Sequence, residues 1–204
     1  MLADCCIIVD HRAFQIRSGK KVLDLVFSGQ LSVSKGGLKL GTATTHLFRS
    51  EAFKLKYKSA DVRTCSPQEV IHMAENRQAM YCHLLSALVF RDDIEFIHST
   101  FAYTVIEGFK TLQKEWRTLC EDIRTGKLNA FVRAQEVRDA MADHVLVAPR
   151  PKLANAIANI CGELDDDWSG AIPRIWPNCK YILSIMTGSM LPYLKKLQYY
   201  AGKR

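Results

Sequence analysis

Apolar residues recur along this chain at two periods, and their alternation predicts its architecture. Phe109, Leu112, Trp116, Leu119 and Ile123 follow at three- and four-residue steps. That spacing makes one stripe of a helix, which Gly126 would end. Over 78–90 apolar residues point in nearly every direction, as in a helix buried against a sheet. Between the helical patterns lie β-favouring runs at 22–27, 93–99 and 181–186. The last is continuous enough for a strand covered on both faces. Pro149-Arg150-Pro151 breaks the chain before a further helix over 152–163, another is expected over 191–200, and 1–14 reads as the end of a helix. Ser66-Pro67-Gln68-Glu69 has the capping residue, the proline and the glutamate of a capping box, so a helical turn should start there. Strands alternating with helices predict an α/β fold, with helices packed on a mostly parallel sheet. Ligands of such sheets bind outside the carboxyl ends of the strands. Thr187-Gly188-Ser189 falls at such an end, and it equally fits a tight strand-to-helix turn.

The stretch 36–50 keeps neither period. Three glycines and three threonines fall within 36–45, so a loop is expected, with the hydroxyls of Thr42, Thr44 and Thr45 beside exposed backbone N–H groups. It matches neither common phosphate-loop spacing. Between Lys35 and Arg63 lie seven basic and two acidic residues. A positive field there suits an anionic ligand such as a nucleotide or a carboxylic acid. An ordinary turn within a solvated lysine face fits the same residues.

Composition narrows the class. The chain has 204 residues, 48% hydrophobic and 24% charged, with net charge +7, and so should fold. Its longest apolar run, 84–90, is far below the roughly 20 residues of a membrane helix. The N-terminus has no basic leader, and a cytoplasmic protein is expected. Seven cysteines without a C-x-x-C pair suit reduced thiols, and no Cys or His pair has zinc spacing, so no metal site is expected. Asp165-Asp166-Asp167 reads as a solvated loop, since it lacks an EF-hand pattern. Basic residues interleaved with exposed aromatics are absent, which argues against nucleic acid. His83 sits inside an apolar helix and reads as a hydrogen-bonded core histidine. His98 faces a pocket or the sheet surface, and His46 stands nearest a ligand. Trp116, Trp168 and Trp176 read as packing anchors.

Taken in order, the Thr-Ala-Thr-Thr run at 42–45, Cys65-Ser66-Pro67, Tyr81-Cys82-His83, the Ile172-to-Tyr181 stretch and Ile185-Met186-Thr187-Gly188-Ser189-Met190 resemble the plant auxin-responsive (Gretchen Hagen) acyl-acid amido synthetases. The resemblance covers nearly the whole chain. It implies ATP-dependent conjugation of jasmonate, indole-3-acetate or a benzoate to an amino acid through an acyl-adenylate, with ATP and Mg²⁺ as co-substrates and nothing tightly bound here. By the same resemblance Thr44, Thr45 and His46 lie beside the adenylate and the amino acid. Leu47, His98 and Ile185 line the acyl pocket, with Met186 and Thr187 beside them. Many relatives carry Asn at the position of His46. The Thr-Ala-Thr-Thr form and Tyr81-Cys82-His83 look more like the jasmonate and benzoate branches.

The family's Ser-Ser-Gly-Thr-Ser-x-Gly, Tyr-Gly-Ser-Ser-Glu and Tyr-Arg-x-Gly-Asp motifs are not in this sequence. The resemblance therefore implies that 1–204 are the central fragment of the large N-terminal domain of an adenylate-forming ligase, without the small C-terminal domain. Little ligase activity is expected of the chain alone. The alternative is a non-catalytic remnant that binds an acyl acid or a full-length relative. A monomer is expected, with association possible through exposed apolar faces.

Overall fold

The computed structural model describes residues 17–57 and 63–202; the helix end expected over 1–14 lies outside them. Three parallel strands make the main sheet, in the order β1 (Lys21–Asp24), β4 (Ile94–Phe101), β5 (Tyr181–Ile185). A two-stranded antiparallel hairpin, β2 (Ser32–Val33) and β3 (Lys39–Leu40), stands apart. Two short helices follow it, α1 (Ala43–Phe48) and α2 (Glu51–Tyr57). Between β1 and β4 the chain also runs through α3 (Gln68–Ile71) and α4 (Asn76–Val89). Between β4 and β5 come α5 (Ala102–Thr125), α6 (Gln135–His144), α7 (Pro151–Glu163) and α8 (Ala171–Ile175). A 3₁₀ segment, Gly188–Tyr193, leads from β5 into α9 (Leu194–Ala201). These crossovers are what parallel neighbours require.

The two helical patterns form as expected. Every residue over 78–89 of α4 is buried. Helix α5 turns Phe109, Leu112, Trp116, Leu119 and Ile123 inward and ends on Gly126 in the left-handed conformation, φ +67°. A side chain at Gly126 would also sit 2.9 Å from the Pro149 backbone nitrogen. The three tryptophans are buried anchors; Trp176 donates its indole N–H to the Ala87 carbonyl at 3.0 Å. Phe109 stacks on Tyr200, centroids 4.4 Å apart.

Strand register separates the two faces of the sheet. Leu23, Ile97 and Ile182 are partners and pack on the helical core. Asp24, His98 and Leu183 are partners on the opposite face, because alternate residues point to opposite sides.

Four expectations change. The run 22–27 is a strand only to Asp24. The run 181–186 is half-buried at the sheet edge rather than covered on both faces, because β4 takes the central position. The expected loop over 36–50 holds β3 and α1: Thr42 caps the helix, accepting from Thr45 N at 3.1 Å, and Thr45 and Phe48 turn inward. The capping box does not close. Ser66 spends its hydroxyl on His83 Nδ1 at 2.8 Å, and Pro67 caps the single turn of α3 without a side-chain bond.

Candidate functional site

The carboxyl ends of the three parallel strands gather much of the candidate chemistry. Asp24 ends β1 and His98 lies beside it in register on β4. His98 Nδ1 is 2.7 Å from Asp24 Oδ1; a carboxylate oxygen accepts, so the proton sits on Nδ1. Both side chains are largely but not fully buried. Beneath them the backbone is tied across the strands, with Leu25 N donating to the His98 carbonyl at 2.8 Å and Ser99 Oγ donating to the Leu25 carbonyl at 3.0 Å. The strand register slips between His98 and Phe101, and Phe101 then pairs with Ile185 at the end of β5. Ile185 is 49% exposed, Thr187 is exposed, and Met186 leans partly on the core. Gly188, at φ +59°, turns the chain into the 3₁₀ segment, whose Leu191 is 60% exposed. Phe101 and Tyr103 are also open to solvent, and the Tyr103 ring meets Tyr193 edge-on at 5.5 Å.

Helix α1 packs on the segment that leaves β1. Gly29 lies so close to Thr45 that an added Cβ would meet Thr45 Oγ1 at 3.0 Å. Thr42 Oγ1 is 2.9 Å from both Thr44 Oγ1 and Thr45 Oγ1. These hydroxyls therefore bond one another, with donor and acceptor capacity left over. Thr45 is buried, Thr44 half-buried, and His46 and Leu47 face solvent. The sequence-predicted residues thus form two groups: His98, Ile185, Met186 and Thr187 on adjoining strand ends, and Thr44, Thr45, His46 and Leu47 on one short helix. No hydrogen bond among the described residues joins α1 to β5.

Asp24 is a candidate site residue that sequence reasoning missed. It lies 74 positions from His98, and no spacing rule links them; only strand register does. His83 is the core histidine expected. Its Nε2–H donates to the Val26 carbonyl at 3.1 Å, so Nδ1 accepts from Ser66, and burial pushes its pKa down to about 4. Burial raises the thiols of Cys65, Cys82, Cys161 and Cys179 to about 12 and that of Cys120 to about 11, so none of these is an activated nucleophile. Among the described residues no three His, Cys, Asp or Glu side chains converge as metal ligands. An open groove of about 700 Å³ lies at the other end of the sheet, between Phe90, Asp92 and Asp93 and the start of α7. Lys20 engages Asp93 there at 2.6 Å, and no candidate residue lines the groove.

A family profile described as the GH3 family N-terminal domain matches residues 1–204. The chain is 44% identical over 193 residues to the indole-3-acetic acid-amido synthetase GH3.10 of Arabidopsis thaliana, covering 94% of this chain and 32% of that protein. It is also 44% identical over 193 residues to the jasmonoyl–L-amino acid synthetase JAR6 of Nicotiana attenuata, covering 95% of this chain and 33% of that protein. The solved GH3.15 acyl acid amido synthetase superposes with a TM-score of 0.85 at 28% identity, over 98% of this chain and 35% of that one. The chain spans about a third of the length of these relatives.

Proposed function

This chain belongs to the GH3 family, and on that premise we propose that it builds the acyl-acid side of an amido synthetase. The reaction would join a carboxylic acid of the jasmonate, indole-3-acetate or benzoate class to an amino acid, through an acyl-adenylate made from ATP. The observation that carries this reading is the strand-end cluster: a histidine oriented by Asp24 stands on β4, next to β5, whose carboxyl end exposes the apolar Ile185, in a chain 44% identical to two such synthetases. Ligands of parallel sheets bind at such ends. Ile185, Met186 and Leu47 would cover the apolar part of the acid, while His98 and Thr187 would meet its polar groups. Thr44 and His46 would face the adenylate and the incoming amino acid, with buried Thr45 holding α1 against Gly29.

The described residues do not by themselves make a site for a nucleotide's metal. No three His, Cys, Asp or Glu side chains converge as metal ligands among the described residues. Stabilising charge on a transferring phosphoryl centre requires preorganised donors and usually Mg²⁺. No step through ATP or Mg²⁺ is therefore assigned to these side chains; such chemistry would fall to the two-thirds of the relatives' length that this chain does not span. We expect the 204-residue chain to bind an acyl acid without activating it, as part of a large N-terminal domain in the cytoplasm. Calorimetry with jasmonate, indole-3-acetate and a 4-substituted benzoate should give saturable binding to at least one, weakened by His98→Ala and by Ile185→Asp. ATP–pyrophosphate exchange should be undetectable. Absence of saturable binding to all three acids would remove the assignment of the pocket; exchange by the chain alone would remove its assignment as non-catalytic.

A further inference from the structure

Behind α1, on its inward side, lies a group of polar atoms that the preceding reading does not use. Ser28 Oγ, Arg49 Nε and both ring nitrogens of His72 are shut off from solvent and have no hydrogen-bond partner among the described residues, while Arg49 and His72 as whole residues are half-buried. Each belongs to a backbone segment built around one small apolar cluster, Val26, Phe48 and Ile71. Ser28 N donates to the Ile71 carbonyl at 2.8 Å, which holds Ser28 next to the residue preceding His72. Arg49 follows Phe48 as the C-cap of α1 and is half-buried. Ser28 is 1% exposed.

We propose that Arg49, His72 and Ser28 form a binding site for a small oxyanion, of phosphate or carboxylate chemistry. An arginine is charged at every accessible pH, and a buried N–H of a charged group left without an acceptor is costly. The guanidinium of Arg49 makes no ion pair with any described residue. A water molecule could accept from it but would leave the charge uncompensated. The surrounding field also favours an anion. At His72, burial first and then Arg49 and Lys54 hold the imidazole below its ordinary value, against the weaker opposing pull of Glu69 and Glu136. An oxyanion could accept from Arg49 Nε–H, from the Ser28 hydroxyl and from an N–H of His72. By neutralising the field it would let His72 take up a proton, so that binding strengthens as pH falls. The site stands independently of the acyl-acid reading, because none of its three residues is in the strand-end cluster.

The test is nuclear magnetic resonance of the His72 ring in the 204-residue chain, titrated with inorganic phosphate, acetate and, at matched ionic strength, chloride. A saturable shift with phosphate or acetate, accompanied by a higher His72 titration midpoint, is the expected result, and which anion gives it identifies the source chemistry. Arg49→Gln should weaken the binding by about tenfold or more. Should that variant fail to fold, Ser28→Ala, which removes one donor, should weaken binding without abolishing it. No saturable shift with either anion, an equal response to chloride, or undiminished binding in folded Arg49→Gln overturns the proposal.

Discussion

Two buried ionisable residues show how single side chains set the pH range of this fold. His83 is held neutral near a pKa of about 4 by burial, against an ordinary 6.5. The unfolded chain therefore binds the proton first. The contribution of His83 to stability is complete above about pH 6.5 and falls away as pH drops to about 4, by about 3 kcal/mol. Chemical denaturation of wild type and His83→Gln across this range should show that loss in the wild type only. An equal pH dependence in both would contradict it. Glu95 behaves in the opposite way to a lone buried acid. Its side chain is fully enclosed, and burial alone would raise its pKa. Hydrogen bonds from the Arg17 side chain and backbone, with Lys180 at 3.1 Å, outweigh burial and hold it below the usual carboxylate range. Its stabilising effect is present above the ordinary glutamate pKa and is lost only as pH falls through the lowered value.

At the scale of elements, helix ends do more than punctuate. Gly126 closes α5 where a side chain would be strained by φ +67° and would meet Pro149 N at 2.9 Å. Arg150 N donates to the Ile123 carbonyl at 2.9 Å, so this helix end also seats the start of α7. Gly126→Ala should cost about 1–3 kcal/mol. Gly162, within α7, has open space around its absent Cβ and ordinary backbone angles. There the same change should be neutral or gain about 0.4–1 kcal/mol. Thermal unfolding of the two variants separates them, and similar melting temperatures would refute the argument. The α5 stripe, the all-round burial of α4 and the approximate places of the three strands were legible in local periodicity, and their parallel arrangement in the alternation of strands with helices. Helix α1 was not. The glycines before it and its threonines read as loop, and what makes it a helix is the cap at Thr42 combined with burial of Thr45 and Phe48 against residues far away in the chain. The capping box at Ser66 failed for a related reason: a buried imidazole 17 positions on claims the hydroxyl.

For the molecule as a whole, one edge is left apolar and open. Phe101, Tyr103, Ile185 and Leu191 are each at least 45% exposed around the carboxyl ends of β4 and β5. Exposed apolar side chains gathered at the end of an edge strand favour association. Sedimentation equilibrium should show concentration-dependent self-association that Leu191→Lys suppresses. A clean monomer at high concentration would count against it. The same edge holds the candidate acyl-acid cluster, so saturating acid should compete with association.

The linear order of residues by itself determined the helical stripes, the α/β alternation, the core histidine and the family, since all of these are written in local spacing and motif. Only the tertiary structure decided that Asp24 orients His98, that β5 is an edge, and that Arg49 Nε and the ring nitrogens of His72 are shut off from solvent. Those relations depend on strand register and on packing between distant segments, and no local pattern carries either.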